Sequence, residues 1–378
     1  MITWKQRKLT EIVNRVNKSS NSDVLPKVEF EDIVSGEGRL NKDISSKFDS
    51  RKGTLFEPEN ILYGKLRPYL KNWLFSDFEG VALGDFWVFE ATDVSVPSFD
   101  YYLIQSDDYQ KVANDTSGTK MPRSDWKNVS STDFAIPSKD EQKQIGAFFK
   151  QLDDTITLHQ QKITLLIKLK KAMLEKMFPK KGTVIPEFRF NGFANAWEQR
   201  KLEEIITEYK ETVDSDCTLP ILTSSKTEGV ILQEEHFGRK QQHDITGYNI
   251  LPRNYCTYRN RSDGVDFTFN INKCCDKGII SKFYPVFSGK NSDVFFLSLV
   301  LNNSDEVVRE IAYTCTGTGQ KVLSFLNLQK MKVRVPSFDE QKEIATYFDS
   351  LDNLIILHQR KIDKIKNMKK AMLNQMFI

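Results

Sequence analysis

Two of the four histidines in this 378-residue chain lie in near-identical segments. His159 falls in LHQQKI (158–163) and His358 in LHQRKI (357–362). Imidazole binds metals and transfers protons near neutral pH, so a paired metal site, a paired proton relay and a structural role are all open interpretations. A metal site would need more ligands, yet no Asp, Glu or Cys recurs at a suitable spacing, and the five cysteines form no CxxC pair. We therefore predict no bound metal and favour the structural role.

The sequence contains none of the common catalytic motifs. It has no GxxxxGK[ST] phosphate loop, no HExxH or GxSxG, and no [DN]PP[FY] tetrapeptide of the kind with which amino-methyltransferases hold a target base. The net charge of +3 is too small to indicate a nucleic-acid partner by itself. No apolar run is long enough to span a membrane, and the first residues do not resemble a secretory signal. We expect a non-catalytic, cytoplasmic protein.

An internal repeat organises the chain. WKQRKLTEI (4–12) returns 193 residues later as WEQRKLEEI (197–205). The segment 137–178 returns 199 residues later as 336–377, with 23 of 42 positions identical. The region between the matching ends differs in length and sequence, and ILYGKLRPYLKNWLF (61–75) has no recognisable sequence twin in the second half. The order is therefore variable, constant, variable, constant.

The constant segments are predicted to be long helices. Each begins with Pro and a Ser-x-x-Glu capping box, Ser138 to Glu141 and Ser337 to Glu340, and the first ends at MFPKKG. Apolar residues, one His and one Lys then recur at alternating spacings of four and three, which is the seam of a coiled coil. The seam positions are Leu152, Ile156, His159, Ile163, Leu166, Lys170, Met173 and Met177, and then Leu351, Ile355, His358, Ile362, Ile365, Lys369, Met372 and Met376.

The seam also predicts how the two helices pair. If they run antiparallel with a symmetric register, His159 faces Lys369 and Lys170 faces His358. A neutral imidazole then accepts a hydrogen bond from the ammonium, whereas a parallel pair would stack His on His and Lys on Lys. We expect the antiparallel arrangement, with these four residues fixing the register of the coiled coil.

The variable segments predict a fold of the α+β class (mixed α/β). Short alternating runs rich in aromatic and β-branched residues, such as 80–91 and 265–272, indicate strands. Basic residues interleave with aromatic and small polar residues in several clusters, which could neutralise phosphates and read base edges. Two of them, 117–119 and 316–318, align at the same 199-residue offset as the helices. The predicted DNA-binding residues are Lys65, Arg67, Tyr69, Lys71, Ser117, Gly118, Thr119, Lys120, Arg123, Arg239, Lys240, Tyr258, Arg259, Asn260, Arg261, Thr316, Gly317, Thr318, Gln320 and Lys321.

This arrangement resembles the specificity (S) subunit of Type I restriction–modification enzymes. The resemblance spans nearly the whole chain. It is carried by the doubled helix motif and by VIPEFRFNGF (184–193), AWEQRKLEEI (196–205), KLRPYL (65–70) and YRNRSDGVDFTFNI (258–271). In one respect the chain departs from the family pattern, because no PEFRF-like leader precedes the first WKQRKL. Two interpretations of this departure stay open: the first domain is trimmed relative to that pattern, or the sequence starts late.

The resemblance implies a domain plan with a pseudo-twofold internal repeat. Two globular target-recognition domains would occupy 1–136 and 197–335. Two spacer helices, 137–180 and 336–378, would pack as an antiparallel coiled coil between them. The linker would be 181–196.

The resemblance also implies a function. Each recognition domain would bind one half of an asymmetric bipartite site in double-stranded DNA, and the coiled coil would set the spacing and dock two methyltransferase (M) subunits. Restriction and motor (R) subunits would join the complex. No cofactor is expected in this chain, since S-adenosylmethionine would belong to the M subunits, and ATP and Mg to the R subunits. Two other interpretations of the residues stay open: a coiled-coil scaffold that organises partners without reading DNA, and a methyltransferase acting alone.

Overall fold

The chain forms two compact units, each built from one variable segment and parts of both constant segments. The computed structural model describes residues 4–47, 50–116, 121–239, 244–317 and 319–377. Unit 1 comprises Met1–Lys162 and His358–Ile378, and unit 2 comprises Ile163–Leu357. Within the described ranges, no helix is long and apolar enough to cross a membrane.

Unit 1 begins with ten strands and four short helices. The strands are β1 (Lys5–Lys8), β2 (Val13–Val16), β3 (Ser19–Ser20), β4 (Lys27–Val28), β5 (Gly53–Phe56), β6 (Ile61–Gly64), β7 (Trp73–Phe75), β8 (Gly80–Ala82), β9 (Phe86–Ala91) and β10 (Asp133–Ile136). The helices are α1 (Leu9–Ile12), α2 (Pro97–Leu103), α3 (Asp107–Ala113) and α4 (Trp126–Ser131). The long helix α5 (Lys139–Met177) follows.

The central sheet of unit 1 has the strand order β2-β9-β6-β7, with all neighbours antiparallel. All four residues of β6 are buried, because the strand lies inside the sheet with both faces covered. A second sheet, β3-β5-β8-β4, packs its apolar residues nearby, and β1 pairs with β10. The core between sheet and helices is rich in aromatic residues and includes Phe149 of α5 and Phe377.

Unit 2 repeats this plan with different residues. Its strands are β11 (Glu198–Lys201), β12 (Ile206–Tyr209), β13 (Leu222–Ser225), β14 (Gly229–Leu232), β15 (Asn249–Pro252), β16 (Cys256–Tyr258), β17 (Arg261–Ser262), β18 (Phe269–Ile271), β19 (Lys277–Ile280), β20 (Val286–Gly289), β21 (Lys321–Val322) and β22 (Lys332–Val335). Its helices are α6 (Leu202–Ile205), α7 (Gln233–Phe237), α8 (Val294–Asn303), α9 (Asp305–Thr314) and α10 (Phe325–Lys330). The long α11 (Phe338–Met376) begins in unit 2, and its residues from His358 onward belong to unit 1. Asp293 and Ser304 cap α8 and α9 by accepting backbone N–H bonds.

The central sheet of unit 2 has the order β12-β20-β16-β18, again antiparallel throughout. Position by position it matches β2-β9-β6-β7 of unit 1. The flanking pair β11–β22 likewise matches β1–β10. Two variable segments with little sequence in common therefore fold on one topology, and the mixed α/β fold class predicted from the sequence is confirmed.

The two long helices confirm the predicted heptad phase. They begin and end at equivalent residues, 199 positions apart, and every predicted seam position is buried or half-buried. Within unit 1, Asp153 lies beside Lys369 and His159 beside His358, so residue numbers rise along α5 as they fall along α11. Each unit contains such an antiparallel pair of helix segments.

The predicted partners of the seam histidines and lysines are wrong. Lys369 forms an ion pair of 2.7 Å with Asp153, six residues before His159, and Lys170 forms the equivalent pair with Asp352. His159 faces His358. A carboxylate neutralises the charge of a half-buried ammonium, whereas a neutral imidazole cannot. The register that pairs each lysine with an aspartate is therefore favoured over the predicted one.

The predicted capping boxes form only in part. Ser138 and Ser337 do accept the backbone N–H bonds of Glu141 and Glu340, each at 3.4 Å. The two glutamate side chains do not return the contact to the serine backbone. They bind other groups, Trp4 in unit 1 and Arg189 in unit 2.

Candidate nucleic-acid interface

A basic turn joins β6 to β7 at the edge of unit 1. Arg67 and Lys71 adopt left-handed backbone conformations, with φ of 49° and 55°, on either side of a single 3-10 turn. Pro68 is buried inside the turn, whereas Arg67, Tyr69 and Lys71 are exposed, Tyr69 by 56%. The turn therefore presents two cations and an aromatic ring on one exposed loop, as the sequence predicted.

A second segment runs alongside this turn. The backbone N–H of Arg67 donates to the Pro122 carbonyl at 2.7 Å, and that of Ser124 donates to the Lys65 carbonyl at 2.9 Å. The guanidinium of Arg123 binds Asp85 at 2.9 Å, and this ion pair raises the pKa of Arg123. The structure thus brings Arg123 next to Lys65 and Arg67. The predicted residues Ser117, Gly118, Thr119 and Lys120 lie outside the described residues.

Unit 2 brings its two predicted clusters together in the same way. The turn after β16 contains β17, which pairs with β21 so that Arg261 lies opposite Val322 and Ser262 opposite Lys321. The backbone N–H of Leu323 donates to the Asn260 carbonyl at 3.0 Å. Residues 258–262 and 321–323 therefore form one surface, although more than fifty residues separate them in sequence. Of the predicted residues here, Thr318 lies outside the described ranges.

The two surfaces occupy equivalent places in the two folds. The turn of unit 1 joins β6 to β7, and that of unit 2 leads from β16 to β18, which are the matching sheet strands. ILYGKLRPYLKNWLF thus has a structural counterpart in the second half, although its sequence shows none. The signal available in the sequence was a tyrosine followed by basic residues, Tyr63 in one turn and Tyr258 in the other, and the structure shows that both tyrosines are buried.

The side chains of the unit 2 surface differ in accessibility. Arg259 is exposed, and Arg261 is exposed and stacks over the Phe283 ring at 4.6 Å. The ammonium of Lys321 donates to the Gly317 carbonyl at 2.9 Å, and Gln320 donates to Asp263 at 3.4 Å. These contacts stiffen the loop next to the arginines.

Two of the predicted contact residues of unit 2 are placed differently. Tyr258 is fully buried, its hydroxyl donates to the Leu323 carbonyl at 3.0 Å, and burial raises its pKa. It positions the turn and cannot present a surface to DNA, which corrects its assignment as a contact residue. Arg239 is exposed after α7, and no contact among the described residues brings it to this surface. Lys240 lies outside the described residues.

A cleft of about 460 Å³ opens beside Arg259 and Arg261. Lys226, from the turn between β13 and β14, also lines it and forms an ion pair with Asp266. Lys226 could not be predicted as a site residue from the sequence, because a single lysine in a polar turn gives no signal. Among the described residues, no group of three or more His, Cys, Asp or Glu side chains could hold a metal ion. The site is thus a basic, partly aromatic surface suited to binding an anionic polymer.

Comparison with known proteins gives consistent matches. A family model described as Type I restriction modification DNA specificity domain matches residues 1–168 and 195–367. The chain is 24% identical over 280 residues to the Type I restriction enzyme MjaVIII specificity subunit of Methanocaldococcus jannaschii, which covers 68% of this chain and 64% of the relative. It is 27% identical over 192 residues to the Type I restriction enzyme HindI specificity subunit of Haemophilus influenzae, covering 47% of this chain and 41% of the relative.

A solved structure matches over almost its whole length. The crystal structure of a Type-I restriction-modification system S subunit from M. genitalium aligns with a TM-score of 0.64, covering 100% of this chain and 96% of the other. At 12% sequence identity this match concerns the fold alone. The sequence alignments, in contrast, span less than two thirds of the length of the two relatives.

Proposed function

The chain belongs to the family of Type I restriction modification DNA specificity domains, and from that premise we propose that it is the DNA sequence-specificity subunit of a Type I restriction–modification complex. Each unit binds one half of a bipartite target in double-stranded DNA. The chain itself carries out no catalysis.

One observation carries this proposal. Both units join two basic segments into a single surface at the same edge of the same sheet, around Arg67 in unit 1 and Arg259 in unit 2. A surface of this kind combines cations for phosphates with arginine and aromatic groups for base edges. The surface recurs on the same topology although the two sequences are no longer similar. We expect this result if the two units were selected to bind different half-sites.

The asymmetry of the target follows from the loops. Unit 1 presents the turn KLRPYLK, and unit 2 presents RNRSDG beside a cleft lined by Lys226. Different donors at equivalent places select different bases. The two half-sites therefore differ in sequence, and the target is not a palindrome.

The long helices support a role in docking partners. Several apolar side chains on them are exposed, including Leu158 by 49% in unit 1 and Leu165, Ile167 and Ile356 by 64, 53 and 48% in unit 2. Exposed apolar residues on a helix that already has a buried seam fit a partner surface. We assign these residues to the binding of two M subunits. Each helix has 39 residues and is about 58 Å long, and we assign to this length the spacing of the half-sites.

The remaining parts of the complex follow from the same proposal. R subunits join it, S-adenosylmethionine is bound by the M subunits, and ATP and Mg by the R subunits. The chain needs no cofactor of its own. Its place is the cytoplasm, where its DNA target is.

The deciding experiment is selection from a random duplex library. The chain assembled with M subunits is exposed to the library, and the retained DNA is sequenced at two salt concentrations. We expect one split, asymmetric motif and a binding constant that falls steeply with salt, since phosphate contacts release counterions. Retention without any sequence preference would favour the alternative, a coiled-coil scaffold. Methyl transfer by the purified chain without M subunits would contradict the non-catalytic assignment.

A further inference from the structure

In unit 2 the linker segment Glu187–Phe190, which we call the strap, binds to the start of α11 through an ion pair and an aromatic contact. Arg189 donates from Nε to Glu340 at 2.8 Å and from a second guanidinium nitrogen to the other carboxylate oxygen. Only 10% of the Arg189 side chain and 2% of the Glu340 side chain are exposed. Phe190 packs edge-on against Tyr347, with ring centroids 5.9 Å apart. The strap thus uses an arginine and the following aromatic residue to engage a carboxylate and a ring on α11.

Unit 1 carries the equivalent receptor on α5. Glu141 and Phe148 stand 199 positions before Glu340 and Tyr347. One oxygen of Glu141 accepts a hydrogen bond of 3.2 Å from the indole of Trp4. The other oxygen is shielded from solvent and has no hydrogen-bond partner within the part of the chain that the structure describes. Such an unsatisfied carboxylate oxygen is unfavourable, because carboxylates normally accept several bonds.

Trp4 and Trp197, the first residues of the repeated segments 4–12 and 197–205, differ in the hydrogen bonding of their indole nitrogens. Trp197 is 3% exposed, and its indole nitrogen has no hydrogen-bond partner among the described residues, while the equivalent carboxylate of Glu340 is paired with Arg189. Trp4 is half-buried and donates to Glu141. An indole and a guanidinium are therefore alternative donors to this carboxylate. The guanidinium is the stronger one, since it is charged and satisfies both oxygens.

We propose that Glu141 and Phe148 form a docking site for a segment of a different protein, not a second copy of this chain, that carries an arginine followed by an aromatic residue, as the strap does. The arriving guanidinium displaces the Trp4 indole and pairs with both oxygens of Glu141, and the aromatic side chain packs on Phe148. The site uses none of the residues of the basic surface of unit 1, so binding there requires no DNA.

The test uses the full-length chain and a fluorescein-labelled peptide with the sequence of residues 184–194, VIPEFRFNGFA. Fluorescence anisotropy should show one binding site per chain. Glu141→Gln should weaken binding by about tenfold or more, as should alanine in place of the peptide arginine, because each removes a charge-assisted pair. Trp4→Phe removes the competing donor and keeps the carboxylate, so this variant should bind at least as tightly as the wild type.

A neighbouring residue supplies the matched control. Asp140 precedes Glu141 on the same turn and is 92% exposed, so Asp140→Asn removes the same charge without touching the site, and binding should be unchanged. The proposal is overturned if the peptide does not bind, or if it binds wild type and Glu141→Gln equally. It is also overturned if the chain dimerises and Arg189→Ala abolishes that dimer, since the occupant is then a second copy.

Discussion

The Nδ1 atoms of His159 and His358 lie 3.0 Å apart, and their rings are 5.0 Å apart between centroids. These residues are equivalent in the repeat, and in an antiparallel pair of repeated helices equivalent residues meet only in the middle layer. A hydrogen bond between two Nδ1 atoms requires one ring to donate and the other to accept, so at least one imidazole must be neutral. The pair is therefore a structural contact that depends on protonation.

Lowering the pH from 7.5 to 5.5 should destabilise this contact. Burial, with the nearby charges of His358, Lys361 and Lys162, lowers the pKa of His159 below its usual 6.5. Near that pH the unfolded chain then binds more protons than the folded chain, so the free energy of unfolding falls as the pH drops through 6.5. The loss is complete below the folded pKa. Urea unfolding at the two pH values measures it.

Variants isolate this contribution. His159→Gln can still bond His358 but cannot titrate, so its loss of stability between pH 7.5 and 5.5 should be smaller. Asp100 has a pKa raised by burial and acts in the opposite direction, but it does so equally in wild type and variant. His236→Gln, which changes a histidine outside the long helices, should behave as wild type. Identical pH dependence in wild type and His159→Gln would refute the assignment.

The ion pairs of the two helices should differ in strength. Lys369 has 13% of its side chain exposed, and burial lowers its pKa, whereas Lys170 is 28% exposed. Removing the partner of the more buried lysine leaves an uncompensated charge, so Asp153→Ala should cost about 2 kcal/mol of stability. Asp352→Ala should cost less, about 1 kcal/mol. Denaturant unfolding compares the two, and a larger loss for Asp352→Ala would contradict the order.

The heptad phase and the existence of both long helices could be predicted from the sequence, because apolar spacing and punctuation are local signals. The predicted bounds, 137–180 and 336–378, extend two or three residues beyond the observed helices at each end. The register could not be predicted in this way. The register depends on which charged residues lie next to the seam. Asp153 and Asp352 are not seam positions, so the heptad pattern did not indicate that they pair with the seam lysines. The joining of residues 258–262 with 321–323 was equally hidden, since strand pairing across more than fifty residues leaves no local pattern. Tyr258 was misassigned because burial is not visible in a basic, aromatic cluster.

The strap should contribute strongly to the stability of unit 2. The Arg189–Glu340 pair is nearly inaccessible to solvent, so Glu340→Ala leaves a buried guanidinium without its partner and should cost about 3–5 kcal/mol. The equivalent Glu141→Ala loses only one hydrogen bond to an indole and should cost about 1 kcal/mol. Thermal or urea unfolding of both variants checks this difference. Equal losses would contradict the larger contribution assigned to the Arg189–Glu340 pair.

The two basic surfaces should act independently on DNA. Arg67→Ala should weaken binding to the half-site of unit 1 by about tenfold and lower the salt slope by about 1 if the contact is to phosphate, while the sequence preference at the other half-site is retained. Arg259→Ala should do the reverse. Competition binding of the chain with M subunits, using duplexes altered in one half at a time, separates the effects. Loss of discrimination in both halves from one substitution would contradict this modular arrangement.

The exposed apolar residues of the long helices should matter for partner binding and hardly at all for folding. Leu165 is 64% exposed and lies off the seam, so Leu165→Lys should leave the unfolding midpoint almost unchanged. If M subunits dock on this face, a charge at its centre should weaken their binding by about tenfold or more, because it must be buried without a partner. Lys168→Glu, an exposed substitution on the same helix, tests whether charge alone has this effect. Co-purification and titration calorimetry with M subunits measure both, and unaltered binding of Leu165→Lys would place the docking face elsewhere.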